Sequence, residues 1–309
     1  MSPAEAPWPV LVAGTITRDD VRTPAGFNAD GLGGSATYCT LAARLFAPVQ
    51  VVATAGPDFM PTFQAAMAGT GADLRSVALA EVPTYRWRAE HDYDTGTTRA
   101  ETSEQGAYVA FEPTLTAEQR LAPIAFVGSM EPRHQLRVIE QLEHPRLIAG
   151  DTMRLYIREQ PQALDAVLKR LDYLFLNAAE ATALAEVDTI EVASAELRRR
   201  YRLRGLLIKE GPRGATLYRE GGNLHLPAFP IDPPVDPTGA GDAVAGGFLG
   251  YLAERRREDV KTLRLALAYA MVLASFAIQR FSVAGLQWLT RAEVETRMLA
   301  MAWKTPAVP

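Results

Sequence analysis

Short apolar runs rich in β-branched residues recur along the chain, at 9–14 (PVLVAG), 49–56 (VQVVATAG), 124–129 (IAFVGS), 146–151 (RLIAGD), 173–177 (YLFLN) and 205–211 (GLLIKEG). Runs of this length without polar alternation read as strands buried on both faces. Between them lie helix candidates at 34–46, 60–69, 132–142, 161–170 and 190–201. This rhythm leaves few folds open, because neighbouring parallel strands need long crossovers, the crossovers are helices, and the helices cover both faces of the sheet. The expected fold class is α/β, with helical layers on both sides of a mostly parallel sheet. From 242 onward the pattern turns helical, with a long apolar stretch near 261–280 and a last helix after Thr290, which is a candidate N-cap.

One segment breaks the rhythm. Across 84–102, Tyr85, Trp87, Ala89, His91 and Tyr93 alternate with polar neighbours as far as Asp94-Thr95-Gly96, after which the sequence is rich in threonine. Period two around a glycine turn predicts an antiparallel hairpin with one wetted face. Such a hairpin does not fit inside a parallel sheet. It is expected to project as a flap that closes over a ligand, pairs with a second copy of the chain, or does both.

Composition narrows the function classes. The chain has 309 residues, 48% of them hydrophobic and 22% charged, enough for a sizeable core. Its net charge is −4, and the short basic runs Arg198–Arg200 and Arg255–Arg257 fall within predicted helices, where they read as solvated faces rather than a nucleic-acid surface. Cys39 is the single cysteine, which excludes an intrachain disulfide and argues against a cysteine metal cluster. His91, His134, His144 and His225 lack metal-ligand spacing. No apolar run is expected to reach the ~18 to 20 residues that span a bilayer. The acidic, proline-rich start, MSPAEAPWPV, lacks the form of a secretory signal, so a cytoplasmic location is the expectation.

The chemistry concentrates at 236–242, DPTGAGD, which runs directly into the apolar helical stretch AVAGGFLGYLA. A helix N-terminus offers unpaired N–H groups and a positive dipole end, and therefore attracts phosphate oxygens. Gly239 and Gly241 remove the side chains that would block close approach. Asp242 is then placed to accept a proton from an attacking hydroxyl, although a capping aspartate after a flexible loop has the same local sequence.

Other motifs are weaker in isolation. GLGGSA at 31–36 superficially matches a dinucleotide fingerprint, but the first strand ends near Gly14, too far upstream for that unit. Its glycine pair can instead bring backbone close to a small polar ligand, or simply make a tight turn. Asp19 and Asp20 follow the first strand, where ligands gather in open α/β sheets; each reads either as an acceptor for polyol hydroxyls or as a solvated turn acid. Asn177 and Glu180 start a helix on one face, suiting Mg²⁺ through water or an ordinary cap. Lys209, Gly211 and Gly214 form a strand end with a turn compatible with nucleotide contact or with a hairpin. The Walker A pattern and the G-x-S-x-G elbow are absent, which disfavours a P-loop NTPase and a hydrolase triad.

Taken together, DPTGAGD, Gly33-Gly34 ahead of a helix, Asp19 after the first strand and NAAE at 177–180 resemble the ribokinase-like (pfkB) family of sugar and nucleoside kinases, over about residues 9–285. The resemblance implies a single ribokinase-like domain across 1–309, a three-layer α/β/α core with a small β lid formed by about 15–33 and 83–112, and transfer of the γ-phosphate of ATP, with Mg²⁺, to an alcohol. Carried over by position, Asp242 would be the base, and Gly239, Ala240 and Gly241 the anion hole. Asp19, Gly33 and Gly34 would hold substrate hydroxyls. Asn177 and Glu180 would organise Mg²⁺ through water, Lys209 and Gly211 would lie near ATP, and Asp236 and Thr238 match positions that bind a monovalent cation such as K⁺ in some members. Two departures stand out. Tyr38 occupies a position where the family often places an asparagine that helps bind a ribose-like ring, and Pro237 replaces a frequent hydroxyl residue. The expected acceptor is therefore a small sugar or polyol other than ribose, with Tyr38 in its site; the rival acceptor is a nucleoside, its base stacked on Tyr38, Tyr85 and Trp87. A ligand-binding protein without catalysis is the more distant alternative. A homodimer through the lid is compatible with the resemblance; nucleic acid and membrane are not expected partners.

Overall fold

The structure, a computed structural model, describes residues 5–93 and 97–302. Its strands are β1 (Val10–Ala13), β2 (Thr17–Thr23), β3 (Gly26–Gly33), β4 (Val49–Ala55), β5 (Asp73–Leu79), β6 (Tyr85–Asp92), β7 (Thr97–Glu104), β8 (Ile124–Val127), β9 (Leu147–Asp151), β10 (Tyr173–Asn177), β11 (Gly205–Lys209), β12 (Ala215–Arg219) and β13 (Leu224–Leu226). The larger sheet has nine strands in the order β13-β12-β11-β10-β9-β8-β1-β4-β5. It is parallel from β5 to β11 and antiparallel at β12 and β13.

Alternation along the central strands builds the layers. Val10 and Val12 pack into the core under the helices Ser35–Ala43, Ala240–Arg255 and Val260–Ala277, whereas Leu11 and Ala13 pack on the opposite side under Pro132–Glu140, Pro161–Leu168 and Ile190–Tyr201. The three-layer α/β core is thus the arrangement that the doubly buried strands require. Strand β5 lacks an apolar run because it closes the sheet edge, with its side chains only half-buried or exposed. Thr290 caps the last helix as expected, its Oγ1 accepting from the Glu293 N–H (3.3 Å) while Glu293 accepts from the Thr290 N–H (2.9 Å).

One expectation is corrected. The helix Val260–Ala277 has 18 residues and a mean hydropathy of 1.5, so a segment long and apolar enough to cross a membrane does exist. Most of it, 61%, is buried in the fold. Gly247 lets it approach the helix Ala240–Arg255, since a Cβ there would lie 3.1 Å from the Ala270 Cα. Its apolarity therefore reflects a core position enclosed by other helices.

A second sheet, in the order β3-β2-β6-β7, stands apart from the first. The hairpin expected at 84–102 is present as antiparallel β6 and β7, and β6 also pairs in parallel with β2, so that Asp19 lies beside Trp87. The expected turn at residues 94–96 lies outside the described residues. Successive residues of β2 face opposite ways. Asp20 accepts hydrogen bonds from Arg86 Nη2 (2.7 Å) and Arg88 Nε (3.1 Å), leaving Asp19 to face the core.

This sheet is fastened to the loop before the helix Ala240–Arg255. Tyr93 Oη and Thr23 Oγ1 both donate to the Val235 carbonyl at 2.8 Å, and His91 Nε2 lies 3.0 Å from Thr238 Oγ1. From the other side, Ser282 Oγ donates to the Leu32 carbonyl at 2.6 Å. The small sheet accordingly covers the C-terminal ends of the central strands.

Candidate active site

Between the two sheets lies a cavity of about 200 Å³. Asp19, Gly34 and Tyr38 line one side, Tyr85, Trp87 and Met153 form an apolar wall, and Thr238, Gly239 and Asp242 close the end.

The end wall is a helix start. Gly239 is the N-cap of the helix Ala240–Arg255, with φ +74°, a left-handed conformation that glycine adopts without strain. A Cβ at this position would also fall 2.3 Å from the Tyr38 ring. Among the described residues, the N–H groups of Gly239, Gly241 and Asp242 meet no main-chain carbonyl. Ala240 differs from the expectation, because its N–H closes a turn onto the Pro237 carbonyl at 3.2 Å. Of the other three amides, that of Asp242 turns onto its own carboxylate, which leaves those of Gly239 and Gly241 without a main-chain partner at the helix start.

Asp242 stands in the first helical turn, open to the cavity yet surrounded by protein. Burial pushes its carboxyl up to about 6; the Lys209 ammonium opposes that rise, Glu180 adds to it, and a hydrogen bond from its own N–H lowers it. Lys209 ends β11 and is held in register with Asn177 at the end of β10. Its Nζ lies 2.6 Å from the place a Gly241 Cβ would take, so Gly241 makes room for this ammonium over the helix start. Gly211 follows in the next turn with φ +59° and open space around it.

Asn177 and Glu180 form a reciprocal capping box: Asn177 Oδ1 accepts from the Glu180 N–H and Glu180 Oε2 from the Asn177 N–H, both at 2.8 Å. Glu180 is buried, and that burial pushes its carboxyl up against the pull of Lys209. The sequence reading missed Asp151, which ends β9. Its carboxyl is buried and Oδ1 has no hydrogen-bond partner, while burial first and Asp242 second push it well above the ordinary carboxylate range. The available signal was a lone acid closing the apolar run RLIAGD.

At the side of the cavity, Asp19 is 4% exposed and its Oδ1 has no partner. Burial raises its carboxyl to about 8, the charges of Asp236, Asp20 and Asp242 push the same way, and a hydrogen bond from Thr17 opposes them. A Cβ on Gly33 would lie 1.8 Å from Asp19 Oδ2, so the glycine is what lets the carboxylate lie flat against β3. Gly34 has φ +97° and would drive a Cβ to 2.2 Å from the Thr15 carbonyl. The Tyr38 hydroxyl is also buried and unpartnered, and burial pushes it well above the usual phenol range. Asp236 serves the loop itself, with Oδ1 accepting from the Thr238 N–H at 2.9 Å and Oδ2 from the Ser282 N–H at 3.4 Å. Its oxygens and the Thr238 hydroxyl, the two expected monovalent-cation ligands, are thereby engaged within the protein.

Among the described residues no three His, Cys, Asp or Glu side chains converge to hold a metal by themselves. The buried carboxylates around Lys209 suit a hard divalent ion whose shell is completed by phosphate oxygens and water, as Mg²⁺ prefers.

The chain is 27% identical, over 84% of its length and 94% of the relative's, to a cytidine kinase of Thermococcus kodakarensis. Its fold matches the structure of a Burkholderia thailandensis nucleoside kinase in complex with inosine (TM-score 0.77, 21% identity, 96% of this chain and 100% of that one). It also matches Arabidopsis thaliana ribokinase complexed with ribose and ATP (TM-score 0.75, 21% identity, 95% and 99%). Residues 15–288 match the pfkB family of carbohydrate kinases, and the chain belongs to that family of ATP-dependent phosphotransferases.

Proposed function

We propose that this kinase phosphorylates a nucleoside, with Asp242 as the base. The observation that carries the reading is a single cavity with a carboxylate and free amides at one end, an unpartnered Asp19 oxygen at its side, and an aromatic wall of Tyr85 and Trp87. In this reading the sugar ring lies between Asp19 and Asp242, and the base stacks against half-buried Trp87, with Tyr85, itself buried, behind it. The cytidine kinase relative supports the same acceptor class.

Mg²⁺ with ATP, when bound, supplies the phosphoryl group and neutralises part of its charge. Asn177, Glu180, Lys209 and Gly211 are the residues proposed to hold them. Asp242 takes the proton of the attacking hydroxyl, and the amides of Gly239 and Gly241 hydrogen-bond the phosphate oxygens as charge spreads over them. Asp19 orients a second hydroxyl of the acceptor, with Gly33 and Gly34 giving the ring access. The small sheet excludes water that would otherwise compete as acceptor.

The test is ADP release in the presence of a panel of nucleosides, ribose and cyclic polyols. A nucleoside is expected to stimulate turnover most. Stronger stimulation by a free sugar or polyol overturns the acceptor class, and ATP binding without turnover on any acceptor overturns catalysis.

A further inference from the structure

The helix start that carries Asp242 is reached through a tight turn. The Ala240 N–H closes it onto the Pro237 carbonyl at 3.2 Å, so Thr238 and Gly239 are its two central residues. Gly239, at φ +74° and ψ −3°, has the conformation of the third residue of a type II turn. A type I turn over the same four residues differs chiefly in the peptide between the central pair, which is flipped, so that the Gly239 N–H points to the opposite side. Glycine tolerates both forms. Contacts from outside the turn must therefore select between them.

Two parts of the molecule grip this loop. From the core, the Ile278 carbonyl accepts from the N–H groups of Val235 (2.8 Å) and Asp236 (3.3 Å). Those bonds act before the turn begins. From the small sheet, His91 Nε2 lies 3.0 Å from Thr238 Oγ1, and it holds the residue whose carbonyl forms the peptide in question. The Thr238 N–H, bonded to Asp236 Oδ1 at 2.9 Å, fixes only the preceding peptide.

His91 is 8% exposed and does not line the cavity. It lies in β6, where alternate residues share a face, and follows Tyr85 and Trp87 of the cavity wall on that face. Its ring centroid is 6.3 Å from that of Trp87. One strand face thus carries the aromatic wall at one end and the hold on Thr238 at the other.

We infer that His91 is a positioning residue for phosphoryl transfer: by holding the Thr238 side chain it sets the direction of the Gly239 N–H, and it does so while the small sheet is seated over the cavity. An acceptor that seats the sheet through Trp87 thereby completes the phosphate end as well. This assignment rests on the placement of the phosphate at that helix start, proposed above, and adds to it a residue that touches neither substrate nor nucleotide.

The test is a double-mutant cycle on turnover, pairing His91→Phe, which keeps a ring and removes its nitrogens, with Thr238→Val, which removes the hydroxyl. A misplacement of about an ångström can cost ~10²-fold, so each single variant is expected to lower kcat by ~10- to 100-fold. In His91→Phe the acceptor KM and ADP affinity should stay close to wild type, and the double variant should fall no further than the lower single one. His91→Gln, whose amide nitrogen reaches the place of Nε2, should recover most of the turnover. Wild-type kcat in a folded His91→Phe overturns the assignment, and so do additive losses in the cycle, a rise in KM that accounts for the whole effect, or a Gln variant no better than Phe. Should His91→Phe not fold, Thr238→Val reads the same contact from its other side, and an unchanged kcat there is equally fatal. Absence of turnover by the wild-type chain on every acceptor would instead defeat the catalytic reading itself, and this assignment with it.

Discussion

The two ends of the cavity are built differently. At the phosphate end, Asp242, Lys209 and Asn177 sit at the starts or ends of regular elements, their positions set by strand register and by a helix N-terminus, and the carboxylates have an ammonium among them. At the acceptor end, Asp19 and Tyr38 come from separate segments, both carry unpartnered oxygens, and the charged neighbours that act on Asp19 are all acidic. The proposed phosphate end has a cation of its own, although Asp151 Oδ1 there still lacks a donor, whereas the acidic neighbours of Asp19 leave the proposed acceptor end to ligand hydroxyls. The Asp242 carboxyl at about 6 is largely ionised at neutral pH, as the proposed base must be, whereas Asp19 at about 8 is largely protonated until something donates to it.

The largest effect expected is at the phosphate end. Asp242→Asn keeps shape and removes the base, and should lower kcat by ~10² to 10⁴ with little change in ADP affinity. Near-wild-type turnover would leave the hydroxyl proton with another group and dissolve the contrast between the ends. Gly33→Ala is the matching change at the acceptor end. The new methyl would start 1.8 Å from Asp19 Oδ2 and must displace it. A misplacement of about an ångström can cost ~10²-fold, so kcat/KM for the acceptor should fall by about that factor while ADP binding is retained. Equal damage to nucleotide binding would mean that the two ends are one mechanical unit.

A subtler change sharpens the electrostatic side of the contrast. Lys209 holds the Asp242 carboxyl down, so Lys209→Met should let it rise and move the acid limb of the pH–rate profile upward from about 6, by on the order of one unit. At pH 6 this looks like a loss of activity that is recovered at higher pH. An unmoved limb in the variant would show that the limb does not report Asp242.

The same division explains what the sequence made legible. The segment 236–242 is contiguous and its function lies in backbone, so it can be read directly from a line of residues. The doubly buried strands are equally plain, whereas β5, half-exposed at an edge, carries no such run. Asp151 closes an apolar run in plain view, but the charges that act on it, Asp242, Lys209 and Glu180, are distant in sequence. The capping box at Asn177 and Glu180 shows one motif serving local structure while remaining at the phosphate edge. Tyr85 and Trp87 alternate in sequence as any half-buried hairpin would, and only the pairing of β6 with β2 brings them to the cavity beside Asp19.

The smallest effect follows from Asp19 and is the most direct probe of an acceptor end left incomplete. An acid raised from 3.8 to about 8 on folding binds its proton more tightly in the folded state, so its contribution to stability is fully present below pH 4 and is lost as pH rises toward 8. Ligand hydroxyls that donate to Oδ1 favour the ionised form and reverse the balance, so acceptor binding near pH 7 should release up to one proton and tighten as pH rises toward 8. Calorimetry in two buffers of different ionisation enthalpy reads that proton directly. Asp19→Asn should bind the acceptor without releasing it and should lose the decline in stability between pH 4 and 8. Proton release that persists in this variant would have to come from elsewhere in the cavity, with Asp242 the nearest source, and the acceptor would then be completing the phosphate end as well.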